Sequence, residues 1–361
     1  MDLSDALALV NDRIRGLTQY HLEPEPSATV KLNQNENPFD WPPQVKDEVA
    51  RFCRTRPWNR YPNFVPDGLK EKLSAYTGVG ADGIIVGNGS NEMLLVLMLS
   101  LANGKRDVIL CQPTFTIYRL LAAGVGATER VVYLDKDMNF DVDAVCDAAR
   151  RYGGSVLVLC SPNNPNGSFL SEKDLKKILD VHTGFCICDQ AYVEFGGYSA
   201  VPLLKSNPNL IITRTFSKAF AGAGLRLGYM LGTPEVIGQI NKIKLPYNIN
   251  FFSEHVGGLL LSQTDTVRQR VDFIVRERDA MYGILKALPF DAVYKSAANF
   301  IMLRCTRKNE LFAYLKRGGI LVRDVSAYPM CENCLRVNVG TVEENKAFIT
   351  AVREFFSSTE R

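Results

Sequence analysis

Lys218 lies in the run Thr215-Phe-Ser-Lys-Ala-Phe-Ala-Gly-Ala-Gly-Leu225, and Arg226 follows eight positions after it. A lysine amine set among hydroxyls and small residues can condense with an aldehyde, while Ser217 and Arg226 can hold a phosphate. Pyridoxal phosphate, an aldehyde that carries a phosphate, meets both demands. An ordinary surface lysine beside a helix-capping serine explains the same run, so the company it keeps decides.

That company is chemically consistent. Asp189 ends the apolar run Phe185-Cys-Ile-Cys, where a carboxylate would be nearly buried and in need of a cation. A protonated pyridine nitrogen would serve, and the pairing would keep the ring an electron sink. The alternative is an aspartate capping the next turn. Tyr192, three residues on, could donate to a ring oxygen or simply pack in the core. Asn164 stands in a proline-bounded turn, Pro162-Asn-Asn-Pro165, which aims its amide. Phe115 could stack on a flat ring, and serves equally as a core aromatic. Ser90 and Asn91 open an apolar helical stretch, a natural phosphate cradle as well as an ordinary cap. Arg336 alternates with apolar residues in Leu335-Arg-Val-Asn-Val339, so it needs an anion or must face solvent. Arg323 poses the same question, with a surface pair to Asp324 as its alternative.

The elements that must hold these residues alternate. Strand-like runs at 83–87, 108–111, 130–134, 155–160, 185–189, 210–214 and 227–231 are separated by helical stretches at 91–101, 118–123, 142–151 and 171–182. Continuously apolar strands between helices predict an α/β fold with a mainly parallel sheet covered on both faces. Ligands of such sheets sit beyond the carboxyl ends of the strands, where the chemically suggestive residues fall. The proline-rich residues 20–66 read as an extended arm. A long helical pattern spans 252–288. A smaller unit follows, with strands at 299–303, 320–323 and 335–339 and helices at 309–317 and 342–356.

The chain has 361 residues, 46% hydrophobic and 22% charged, with a net charge of +3. That balance gives no footprint for nucleic acid. No apolar run reaches the roughly 18 residues of a membrane span, and the start Met1-Asp-Leu-Ser-Asp5 has no secretory pattern. Nine cysteines, an odd number, suit reduced thiols in a cytoplasmic protein. Cys331 and Cys334 have the spacing of a metal knuckle but lack a second pair, so no metal site is expected.

In these motifs the chain resembles the fold-type I, pyridoxal-phosphate-dependent aminotransferases, and among them the histidinol-phosphate aminotransferases. The landmarks run in order: Leu32-Asn-Gln-Asn-Glu-Asn-Pro38, Tyr61-Pro62, Gly89-Ser-Asn-Glu92, Ser161-Pro-Asn-Asn-Pro165, Asp189-Gln-Ala-Tyr192, Arg214-Thr-Phe-Ser-Lys-Ala-Phe220, Gly224-Leu-Arg-Leu-Gly228 and Cys334-Leu-Arg-Val-Asn-Val-Gly-Thr341. The resemblance implies a large domain with a seven-stranded sheet at 40–279, a small α+β domain at 280–361, and an arm at 1–39 shared with it. It implies that Lys218 holds the cofactor aldehyde, that Asp189 partners the ring nitrogen, and that Tyr192 and Asn164 bond the ring oxygen. Ser90, Asn91, Thr215, Ser217 and Arg226 would hold the phosphate, with Phe115 on the ring. Tyr61 would reach the neighbouring subunit's cofactor phosphate, implying a homodimer. Tyr20, Arg323 and Arg336 would line the substrate pocket. The reaction implied is amino transfer between L-histidinol phosphate and 2-oxoglutarate, with an aromatic aminotransferase and a threonine-phosphate decarboxylase as rivals on the same fold. A non-catalytic regulator on a retired enzyme fold is the rival from another class, and the retained lysine, aspartate and arginine speak against it. Gln190 and Asn166 depart from the family pattern, which usually has Glu and Thr there.

Overall fold

Runs such as Val156-Leu-Val-Leu-Cys160 are apolar at every position because both faces of the strand they form are covered. The computed structural model describes residues 1–17, 28–102 and 104–357. The arm contributes β1 (Val30–Lys31). Seven strands then build the main sheet: β2 (Ile84–Gly87), β3 (Val108–Gln112), β4 (Glu129–Tyr133), β5 (Val156–Cys160), β6 (Phe185–Asp189), β7 (Leu210–Thr215) and β8 (Gly228–Leu231). Their order is β2-β8-β7-β6-β5-β3-β4. β8 runs antiparallel to both neighbours; the pairs among β3 to β7 are parallel. Every residue of β3, β5 and β7 is buried, whereas the edge strand β4 is largely open. Alternate residues feed two cores. Ile109 and Leu157 face one layer, and Val108, Leu110, Val156 and Val158 face the other.

Strand order reverses between β3 and β5, which opens a crevice at their carboxyl ends. Because β8 is antiparallel to both β2 and β7, the carboxyl end of β2 points to that same edge.

A second sheet, ordered β12-β13-β10-β9, is antiparallel and consists of β9 (Ala292–Tyr294), β10 (Phe300–Arg304), β12 (Arg323–Asp324) and β13 (Cys334–Asn338). β11 (Ile320–Leu321) pairs instead with β1, in parallel.

The structure departs from the sequence expectations in several places. The stretch 20–66 is not wholly extended, since Pro43–Thr55 is a 13-residue helix with proline in its first turn, where a fixed φ and a missing N–H cost nothing. The pattern over 252–288 is two helices, Phe251–Leu261 and Thr264–Lys286. The strand expected at 320–323 splits at Val322 because its halves choose different partners. β9 was unforeseen, being three half-buried residues with no alternation to read. Among the described residues no helix is long and apolar enough to cross a membrane, and no cluster of three or more His, Cys, Asp or Glu could hold a metal. All nine cysteines are unpaired.

Candidate active site

A cavity of about 420 Å³ opens at the carboxyl edge of the main sheet. Ser90, Asn91, Phe115, Asn164, Asp189, Tyr192, Thr215, Ser217, Lys218, Arg226, Arg323 and Arg336 all line it. Segments scattered over nearly 250 positions meet there: most follow or end strands of the main sheet on that edge, and Arg323 and Arg336 come from β12 and β13 of the second sheet. One expected residue stands apart. Tyr61 is 77% exposed and stacks on Tyr247 at 4.6 Å, away from the cavity. Tyr20 lies outside the described residues.

One end of the cavity is built for an anion. The helix Ser90–Leu101 starts there after Gly89, and no side chain caps its first N–H groups. Gly89 holds φ at +82°, and an added Cβ would come within 2.9 Å of the Arg226 guanidinium, so the arginine leans over the glycine. Gly228 lets β8 abut the same helix start, for its Cβ would lie 2.3 Å from the Ser90 nitrogen. Thr215 and Ser217 add hydroxyls 3.0 Å from each other. Bare N–H groups, a helix dipole, two hydroxyls and a guanidinium make a phosphate cup.

The floor carries the opposite charge. Asp189 is buried, and its Oδ2 accepts from the Tyr118 hydroxyl at 2.6 Å while Oδ1 accepts from the Ala191 N–H at 3.1 Å. Among the described residues no lysine, arginine or histidine pairs with it. Burial pushes its pKa up, opposed by the hydrogen bond from Tyr118. A buried carboxylate served only by neutral donors fits a ligand that brings a cation of its own.

Between cup and floor stands Lys218. Its Nζ donates to the Gln34 carbonyl at 3.1 Å and lies 5.8 Å from the centre of the Tyr192 ring. Burial, and then the positive charge of Arg336, lower its pKa to about 8; Glu36 pulls the other way. A neutral, nucleophilic amine is therefore available near neutral pH. Tyr192 accepts from the Asn35 amide at 3.0 Å and packs edge-on against Phe300.

The far wall is cationic. Arg336 donates to the Asn164 side-chain oxygen at 2.5 Å and to the Asn33 carbonyl at 3.0 Å. It stands directly opposite Arg323 across β12 and β13. Both guanidinium groups line the cavity, where they could receive an anion. The surface pair of Arg323 with Asp324 is not formed: Asp324 pairs with Lys308 at 2.7 Å.

Several working residues carried no signal as single positions. Tyr118, which holds Asp189, follows Phe115 by one helical turn. Asn33, Gln34 and Asn35 act largely through contacts to residues far away in the chain. Gln190 and Asn166 prove to be buried braces. Gln190 accepts from Arg214 at 3.0 Å and donates to the Tyr198 carbonyl at 2.7 Å, and Asn166 accepts from Asn163 at 2.9 Å.

Amine, anion cup and uncompensated carboxylate together fit pyridoxal phosphate, and known proteins agree. Histidinol-phosphate aminotransferase from Chlorobaculum parvum is 37% identical over 350 residues, 97% of this chain and 99% of that protein. Histidinol-phosphate aminotransferase from Sinorhizobium meliloti, solved in complex with pyridoxal-5'-phosphate, matches with a TM-score of 0.82 at 22% identity, covering 92% of each chain. L-threonine-O-3-phosphate decarboxylase from Porphyromonas gingivalis matches with a TM-score of 0.80 at 20% identity, covering 91% of this chain and 99% of that one. At such identities the solved structures speak for the fold alone. The family model Aminotransferase class I and II matches residues 27–352, and the chain belongs to that family of pyridoxal-phosphate-dependent enzymes.

Proposed function

We propose that the protein transfers the amino group of L-histidinol phosphate to 2-oxoglutarate, giving imidazole acetol phosphate and glutamate, as a cytoplasmic homodimer. The observation that carries the substrate is the full-length relationship to histidinol-phosphate aminotransferases at 37% identity. The site supports it. Both substrates, the amino donor histidinol phosphate and the acceptor 2-oxoglutarate, bring an anion remote from the reacting carbon, and Arg336 with Arg323 lines the cavity to receive either.

When bound, pyridoxal phosphate supplies an electron sink that stabilises negative charge on the substrate carbon next to nitrogen. The chain supplies the rest. Ser90, Asn91, Thr215, Ser217 and Arg226 would hold the phosphate. Asp189, held by Tyr118, would pair with the ring nitrogen and favour its protonated form. Phe115 would stack on the ring, and Tyr192 and Asn164 would bond the ring oxygen. Lys218 would hold the aldehyde, and its Nζ would serve as the group that moves a proton at the substrate carbon; a pKa near 8 suits an amine that must both give and take. We assign residues 40–279 to the cofactor-holding domain and 280–361, with the arm at 1–39, to the smaller one. Tyr61, exposed on one chain, is assigned to the cofactor phosphate of the partner subunit.

A substrate panel tests this reading. With histidinol phosphate and 2-oxoglutarate the purified protein should form glutamate without releasing carbon dioxide. Glutamate only from phenylalanine or tyrosine would make it an aromatic aminotransferase, and carbon dioxide from threonine phosphate would make it a decarboxylase.

A further inference from the structure

The segment after β1 touches three site residues in succession. The Asn33 carbonyl accepts from Arg336, the Gln34 carbonyl accepts from Lys218, and Asn35 donates its side-chain amide to Tyr192. Asn35 is only 2% exposed and holds φ at +54°, a left-handed conformation that asparagine adopts more readily than most non-glycine residues. The fold over-determines it there. Its N–H donates to Asn338 Oδ1 at 3.1 Å, and its carbonyl accepts from Asn299 Nδ2 at 3.1 Å.

The Asn35 amide donates: its Nδ2 lies 3.0 Å from the Tyr192 hydroxyl oxygen, while its Oδ1 has no partner. A phenol oxygen that accepts from Asn35 must send its own proton elsewhere, and the cavity that Tyr192 lines takes that direction.

We propose that Asn35 is a positioning residue that makes Tyr192 a one-way donor toward the cofactor by occupying the phenol oxygen as an acceptor. The proposal rests on the role given to Tyr192 above, and it is independent of which amino donor the enzyme uses. Without the amide, the Tyr192 proton is free to point in either direction, and its bond to the ring oxygen weakens.

The test is the pH at which the visible absorption of the loaded protein titrates, read with no amino donor present. Asn35→Gly suits the left-handed backbone and removes only the amide. It should raise the titration point by on the order of half a unit to one unit, the worth of one hydrogen bond. Tyr192→Phe should raise it at least as far, and the double variant should match Tyr192→Phe alone, because Asn35 acts through that hydroxyl. Asn35→Asp, of the same shape and equally at ease in this backbone, provides a second cycle. An unshifted Asn35→Gly protein, or a shift that persists at full size beside Tyr192→Phe, overturns the proposal. So does a Tyr192→Phe protein that titrates like the parent. A protein that follows these shifts yet ignores histidinol phosphate would refute the substrate and leave Asn35 in place.

Discussion

At the scale of single residues, the site depends on two ionisable groups displaced from their ordinary ranges. Lys218 has its pKa lowered to about 8 by burial and by Arg336. Uptake of pyridoxal phosphate by the empty protein should therefore speed up with pH, pass its midpoint near pH 8 and level off above about pH 9. An amine in its ordinary range would still be accelerating at pH 10, so stopped-flow traces over that range decide. Lys218→Ala should abolish turnover with the circular dichroism of the parent retained. Asp189 is displaced the other way. Its folded pKa is raised, so above the ordinary carboxyl range, about pH 4, the folded chain holds that proton more tightly than the unfolded chain, and stability falls as pH rises through the window. At neutral pH the buried charge is thus a net cost to the empty protein. Asp189→Asn should melt at a higher temperature when empty, and turn over at least about a hundredfold more slowly when loaded. Scanning calorimetry and steady-state assays separate the two effects.

At the scale of elements, the strands were legible and their partners were not. Apart from the open edge strand β4, the main strands are nearly continuous apolar runs, a pattern set by burial on both faces, and all seven lie within a residue or two of their expected places. Motifs that end strands were legible for the same reason, since Lys218, Asp189 and Asn164 all follow or close such runs. What could not be read is anything decided across the chain. The division at Val322 depends on whether β1 or β13 is the neighbour, and the uses of Asn33 and Asn35 depend on residues some 300 positions away. The Pro43–Thr55 helix was hidden because proline density reads as extension unless the proline falls in a first turn. The close approach of β8 to the helix Ser90–Leu101 gives a prediction of its own. Gly228→Ala would place a Cβ 2.3 Å from the Ser90 nitrogen, backbone against backbone. It should cost about 1 to 3 kcal/mol in stability and weaken cofactor binding at least tenfold by spoiling the phosphate cup. Equilibrium dialysis beside a denaturant titration reads both.

For the whole molecule, the main test is whether two chains share each site. Exposed Tyr61 stacks on Tyr247, with Phe64 and Trp58 also open on the same chain. If Tyr61 serves a partner, Lys218→Ala and Tyr61→Ala chains, each inactive alone, should recover activity when co-expressed. Half of a random assortment would be hybrids, each with one intact site of two, giving about a quarter of parental activity. No recovery would make each site the property of a single chain. The lone anion at Asp189 reaches beyond catalysis to the supply of the protein itself. A chain that folds around an unmatched charge would gain stability from a vitamin that neutralised it, and folded lifetime and nutrition would then be thermodynamically linked. Cells starved of vitamin B6 should lose this polypeptide to proteolysis as well as losing its turnover, and Asp189→Asn should escape that loss.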